Sequence, residues 1–200
     1  MPTLTTQPPE IVAAPLSLYV APIGTAQPVL DVAPPTGTWT LVGVNGQNDY
    51  DSTGLTVTHN QTYNSFQPVG TTATVTAWRV SEQVTVSVTL ADTSATAYAL
   101  ALNNVAVTTI AATTGQPGES DVNLLQGVTT NMFALLCRGV SALNQSMTMQ
   151  YWIPAVYQSA APAPVYKLGT PAELALTFSA VLDPNGAGFG KIQQQSAART

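Results

Sequence analysis

In Gln83-Val84-Thr85-Val86-Ser87-Val88-Thr89-Leu90, polar and apolar side chains alternate without a break. Successive side chains of an extended strand point to opposite faces, so this run segregates its valines only as a β-strand; a helix would scatter them around its circumference. Thr72 to Trp78 alternates as well, with Ala73, Val75 and Ala77 on one face. The two stretches are expected to pair antiparallel around a turn at Arg79–Glu82. Further strands are expected at Leu16–Ala21, Thr38–Val42, Val105–Ile110, Met132–Arg138, Met147–Ile153 and Glu173–Leu182. The β-branched Thr and Val that recur in them suit a pleated surface and crowd a helix. In the strand expected at Met147–Ile153, Met147, Met149, Tyr151 and Ile153 share a face, and Asp183-Pro184-Asn185-Gly186 supplies the turn chemistry that stops the last strand.

One helix is expected, from Asp92 or Thr93 to about Asn103. Asp92 can accept backbone N–H bonds at its start, Ala97/Ala101 and Tyr98/Leu102 fall four apart, and Asn103-Asn104 suits its end. Residues 1–14, rich in Pro and Thr, read as an extended arm, and the Gly- and Gln-rich 188–200 as a second arm. Between them, 15–187 read as a single domain. Val44–Thr71 is polar and Asn/Gly-rich, a long excursion with a hairpin signal at Gly54–Thr58 and Tyr63–Phe66. Ala111–Leu125 reads as a surface or contact loop. The fold class is mainly β: a sandwich or barrel of antiparallel strands with one flanking helix.

Charge narrows the function. Only 8 % of the 200 residues are charged, against about 25 % in an average globular protein. A chain polar through hydroxyls and amides can have its surface covered by neighbours with little charge desolvation. The net charge is −5, and Arg79, Arg138, Lys167, Lys191 and Arg199 are scattered rather than clustered, which argues against a phosphate-gripping surface. The single cysteine, Cys137, lies in the apolar run Phe133–Cys137 and reads as a buried, inert thiol. The N-terminus has neither a basic n-region nor a continuous apolar stretch, so no signal peptide is expected, and no apolar run is long enough to span a bilayer.

Candidate chemistry is sparse. His59, the only histidine, is the one side chain suited by its ordinary pKa to general base work. No nucleophile elbow accompanies it, and a surface or interface histidine is the preferred reading. Asn45-Gly46-Gln47-Asn48-Asp49-Tyr50-Asp51 clusters oxygens as a calcium loop does, but lacks the glycine and closing glutamate in register, so a solvated acidic turn is preferred. Gly186-Ala187-Gly188-Phe189-Gly190 follows a turn rather than opening a βαβ unit, which argues against a phosphate cradle. Trp39, Trp78 and Trp152 could form a carbohydrate platform, with core or interface packing the favoured alternative. No catalytic residue, metal or cofactor is expected.

The order of elements carries a resemblance. Leu18-Tyr19-Val20-Ala21-Pro22-Ile23-Gly24-Thr25 leads through a Pro-rich link to Trp39-Thr40-Leu41-Val42-Gly43. A polar segment follows, then Thr74-Val75-Thr76-Ala77-Trp78-Arg79, the alternating strand ending Ala91-Asp92-Thr93, and the helix. Tyr166-Lys167-Leu168-Gly169 precedes a strand closing in Phe178-Ser179-Ala180-Val181-Leu182-Asp183-Pro184. Over nearly its whole length the chain resembles the tail tube proteins, or major tail proteins, of long-tailed bacteriophages. The resemblance implies a non-enzymatic virion protein, made in the host bacterial cytoplasm and assembled into the tail. It implies hexameric rings stacked into a tube, strands joined into one barrel around the lumen, and other tail proteins as partners. DNA would pass during ejection without specific binding, and no membrane would be involved. By position, 44–71 would be the loop that holds one ring to the next, with Tyr50, His59, Tyr63 and Phe66 as inter-ring contacts. Asp49, Asp51 and Glu82 would be the acids facing the lumen. A β-sandwich binding module of the fibre or adhesin kind, a tail terminator and a capsid decoration protein are the alternatives, with a His59 hydrolase as the enzymatic one.

Overall fold

The computed structural model describes residues 15–31, 34–140, 148–183, 185–186 and 188–195; the arm expected at 1–14, and Met147, lie outside them. The strands are β1 (Ser17–Pro22), β2 (Thr40–Leu41), β3 (Tyr50–Phe66), β4 (Thr76–Leu90), β5 (Val107–Ile110), β6 (Glu119–Val122), β7 (Phe133–Val140), β8 (Thr148–Gln158), β9 (Leu174–Ala180) and β10 (Lys191–Gln194). One helix, α1 (Ala95–Ala101), and a 3-10 turn at Gly46–Asp49 complete the described elements. The principal sheet runs β2-β1-β7-β8-β9-β4-β3, with β10 also on β8, and every pairing is antiparallel. β5 and β6 form a separate two-stranded sheet. This is the expected fold class, a β-sandwich with one flanking helix.

The sandwich arises at β8. One edge of β8 pairs along β7; the other is divided, with Met149–Trp152 held by β10 and Val156–Gln158 by β9. Pro154, which has no N–H to give a ladder, sits at the handover, and the β7 partner shifts register between Phe133 and Leu135. The two parts of the sheet share one core. Leu18, Leu135 and Cys137 from the β1–β7 side meet Val86, Leu176 and Phe178 from the β4–β9 side, and Ala97, Leu100 and Ala101 of α1 pack against the same cluster. Phe133 and Phe178 meet edge to face with centroids 5.7 Å apart. The opposite face of β1 and β7 is also covered, by Tyr19, Trp39 and Trp152. A strand buried on both faces has no reason to alternate, which accounts for the continuous apolar run of β7.

A polar hub lies inside the fold. Gln150 is fully buried: its Oε1 accepts from Arg138 Nε and Nη2 at 3.0 and 2.6 Å, while its Nε2 donates to Pro28 O and Gln193 Oε1 at 2.9 and 2.7 Å. Arg138 Nη2 also donates to Val29 O at 2.8 Å. The hub ties the Pro-rich link, β7, β8 and β10 together. The segment from Lys191 to Gln194, expected to belong to a free arm, is therefore a docked strand. Gly190 makes the approach possible: its φ is +122°, and a Cβ there would lie 2.0 Å from Trp152 O.

Five other expectations change. The helix is shorter than 92–103, because Ser94, not Asp92, accepts the capping bond from Ala97 N; Asp92 instead holds Ser94 through its backbone N–H and hydroxyl. Thr38–Val42 yields only the two-residue β2, and β6 occupies part of the expected loop Ala111–Leu125. Residues 44–71 are not a loop but a 3-10 turn followed by the long strand β3. Arg79–Glu82 is not a turn, since β4 runs straight through it and pairs with β3 along its length.

Candidate functional site

The β3–β4 hairpin is the feature that a self-contained domain does not require. β9 covers β4 only from Thr85 to Leu90. Beyond that point, among the described residues, Thr76–Gln83 pairs with β3 alone, so the hairpin continues for roughly 25 Å at ~3.3 Å per residue with two strands and two free backbone edges. Among the described residues the whole outer edge of β3 is free as well, because β3 ends the sheet. An isolated two-stranded ribbon is marginal in water, and unpaired edges are templates for further pairing.

The register assigns every side chain of the hairpin to a face. On the face toward the body, Leu55, Val57, Val84, Val86 and Val88 pack on the core. Farther out on that face the apolar residues give way to a polar chain. His59 Nε2 lies 2.5 Å from Glu82 Oε1, and Arg79 Nη1 donates to Glu82 Oε2 at 2.8 Å. The Arg79 guanidinium also lies 5.7 Å from the Tyr63 ring centroid, and the Tyr63 hydroxyl donates to Gln61 Oε1. The His59 hydrogen bond, then Arg79, holds the Glu82 carboxyl below its ordinary range. A cleft of about 290 Å³ separates His59 and Glu82 from Tyr151, Phe189 and Ile192, which confirms that this face looks toward the body.

The other face is different in kind. Thr56 stands opposite Ser87, Thr58 opposite Thr85, Asn60 opposite Gln83 and Thr62 opposite Ser81. The pattern continues onto β9, where Ser179 and Thr177 lie opposite Thr85 and Ser87. No charged residue occurs on this face from Thr56 to Phe66 or from Thr76 to Thr89. At its far end it becomes apolar: Phe66 and Trp78 are 54 % and 50 % exposed, and Val69 and Val75 at the tip are exposed too.

The expected contact residues separate. Tyr63, Phe66 and His59 lie on the projecting hairpin, with Tyr63 and Phe66 half exposed. Tyr50 is a brace of the fold instead: its hydroxyl accepts from Leu18 N at 3.0 Å and donates to Val42 O at 3.2 Å, and burial pushes its pKa up to about 12. Its one donor is spent inside the domain, so it is not a surface contact. Val75 is missed as a contact because its alternation with Ala73 and Ala77 suggests a buried face, whereas Trp78, read as core or interface packing, stands half exposed on the hairpin.

The three expected acids are not brought together. Asp49 accepts from Asn45 N and Nδ2 at 2.7 and 3.1 Å, and Asp51 accepts from Thr53 N and Oγ1 at 3.3 and 3.1 Å. These local hydrogen bonds, led by the backbone N–H of Asn45 and of Ser52 respectively, lower both carboxyl pKa values. Glu82 pairs toward the tip, opposite Gln61, roughly 33 Å along β3 from Asp51. Among the described residues no group of three His, Cys, Asp or Glu is placed to hold a metal.

The other candidate chemistries disperse. Cys137 is fully buried, and burial raises its thiol pKa well above the ordinary value, while His59 sits on the hairpin with Glu82 and Gln61 as its partners. Trp39 and Trp152 pack in the second core cluster and Trp78 stands on the hairpin, so the three do not form a platform. No protein-family model matches the chain, and no curated protein matches it.

Proposed function

We propose that this chain is a non-enzymatic structural subunit that assembles with copies of itself into rings and stacked tubes, as the tail tube protein of a long-tailed bacteriophage. The observation that carries the reading is the hairpin with a free backbone edge on each flank. The outer edge of β3 in one copy and the free edge of Thr76–Gln83 in the next are different surfaces, so their pairing is head to tail. A head-to-tail contact that closes makes a ring, and joining the hairpins into a barrel removes both exposed edges of the hairpin. The apolar tip, carrying Phe66, Val69, Val75 and Trp78, then projects toward the next ring. Low charge supports the same reading, because few ions need desolvating at such contacts.

In this reading the tube is part of a virion tail, its lumen conducts DNA without specific binding, and other tail proteins meet its ends. A binding module is the competing class, but the dispersal of the tryptophans removes the feature that favoured it. Negative-stain electron microscopy with size-exclusion chromatography, over a range of concentrations, tests the proposal. Rings or hollow tubes are the expected result. Compact monomers at every concentration, with the hairpin edges still unpaired, would overturn it.

A further inference from the structure

We infer that the hydroxyl and amide face of the hairpin is the inner wall of the assembled tube, and that this wall is uncharged. The inference rests on the assembly reading above and goes beyond it on two observations. The first is steric. When hairpins join edge to edge into a closed barrel, all the domain bodies lie on one side of the barrel wall. The body is the bulk of each chain, whereas the hairpin is two strands, so the bodies fit only outside. The face that looks away from the body therefore looks inward. Its identity is fixed by register: Val84, Val86 and Val88 point to the core, and Thr85 and Ser87 point away from it.

The second observation is chemical. The facing pairs Thr58/Thr85, Asn60/Gln83 and Thr62/Ser81 present groups that both donate and accept hydrogen bonds but carry no charge. The charged residues of the hairpin from Thr56 outward, His59, Arg79 and Glu82, are bonded to one another on the opposite face, and Asp51 lies at its base, bonded to Thr53. Glu82 is thus withdrawn from the wall that it was expected to make negative. A neutral, hydrogen-bonding wall holds a hydrated layer and exerts no long-range force on a passing polymer of either sign. The partner that it fits is a hydrated linear polymer in transit, exchanging transient hydrogen bonds with wall and water.

The test uses the full chain with Asn60→Cys and, separately, Gln61→Cys, each labelled with a small maleimide gold cluster. Cys137 is fully buried and supplies no competing thiol. Averaged electron micrographs of Asn60→Cys tubes should place gold density inside the lumen, with Gln61→Cys density displaced outward into the wall. Lumenal density for Gln61→Cys, or outer-surface density for Asn60→Cys, would overturn the inference while leaving the tube itself intact. Failure of the unlabelled wild-type chain to form rings or tubes would instead overturn the assembly reading, and the inference with it. The charge of the wall has its own readout. Entry of an anionic dextran narrower than the lumen into wild-type tubes should match at low and high salt, whereas Asn60→Asp tubes should admit it only at high salt. Salt-dependent entry in the wild type would show an acidic wall and overturn its neutrality.

Discussion

At the residue scale, the fold depends on a few polar groups whose loss leaves buried partners unpaired. Tyr50→Phe removes the hydroxyl that joins Leu18 N to Val42 O. It should destabilise the domain by about 1–3 kcal/mol, the cost of stranding a buried polar group, and lower the denaturant midpoint without changing its slope. Because Tyr50 braces the fold, the folded fraction of that variant should still assemble. Glu82 gives a pH dependence whose sign is fixed. Its folded pKa is depressed, by the His59 hydrogen bond first and Arg79 second, so its contribution is present above the unfolded value near 4.5 and is lost as pH falls through the folded value. Hairpin amides should therefore be less protected below that range, once the slower intrinsic exchange at low pH is divided out, and Glu82→Gln should remove the difference. Amide hydrogen exchange of Gln61–Tyr63 against pH reads both.

At the level of the element, the hairpin ties sequence to assembly most directly. Tyr63→Ala with Phe66→Ala removes two half-exposed rings that the core does not use. Folding should be unaffected, within about 0.5 kcal/mol as for surface substitutions, while tube growth is abolished; circular dichroism and electron microscopy separate the two. Normal tubes from the double variant would remove the tip from the contact. The same element explains what the sequence could reveal. Gln83–Leu90 was legible because one of its faces packs on the core and the other is wet. The outer hairpin misleads instead: Thr72–Trp78 alternates, which suggests a half-buried strand, yet Val75, Trp78 and Val80 there are all exposed, because no other strand of the domain packs on that part of the ribbon. The register shift between Thr62 and Tyr63 moved the phase of β4, so the charged stretch Arg79–Glu82 mimicked a turn. Buried β7 is readable from its apolar run and β9 from the alternation of Leu174, Leu176 and Phe178, while the docking of β10 depends on Gln193 meeting Gln150, a long-range contact that leaves no local pattern.

For the whole molecule, the distribution of charge decides what kind of assembly the chain can sustain. Ten acidic and five basic residues give a net −5, small for 200 residues, and the ion pairs of the hairpin are internal to one chain. The surfaces assigned to contact are backbone edges and an apolar tip, whose interactions are not screened by salt, whereas repulsion between subunits of this charge is already short-ranged at ordinary ionic strength. Tube assembly should thus depend little on sodium chloride. The critical concentration for tube formation should stay within about tenfold from low to physiological salt, a change of under ~1.4 kcal/mol per subunit. Sedimentation of tubes across a salt series measures it directly. A steep loss of assembly with rising salt would place ion pairs between copies, and would move the contact from the hairpin edges to a charged surface elsewhere on the domain. Arg138 cannot be the cation of such a contact, since it is buried in the hub with Gln150, and Arg79 is paired with Glu82; among the described residues this leaves Lys167 and Lys191, both on exposed segments, as the residues to substitute next.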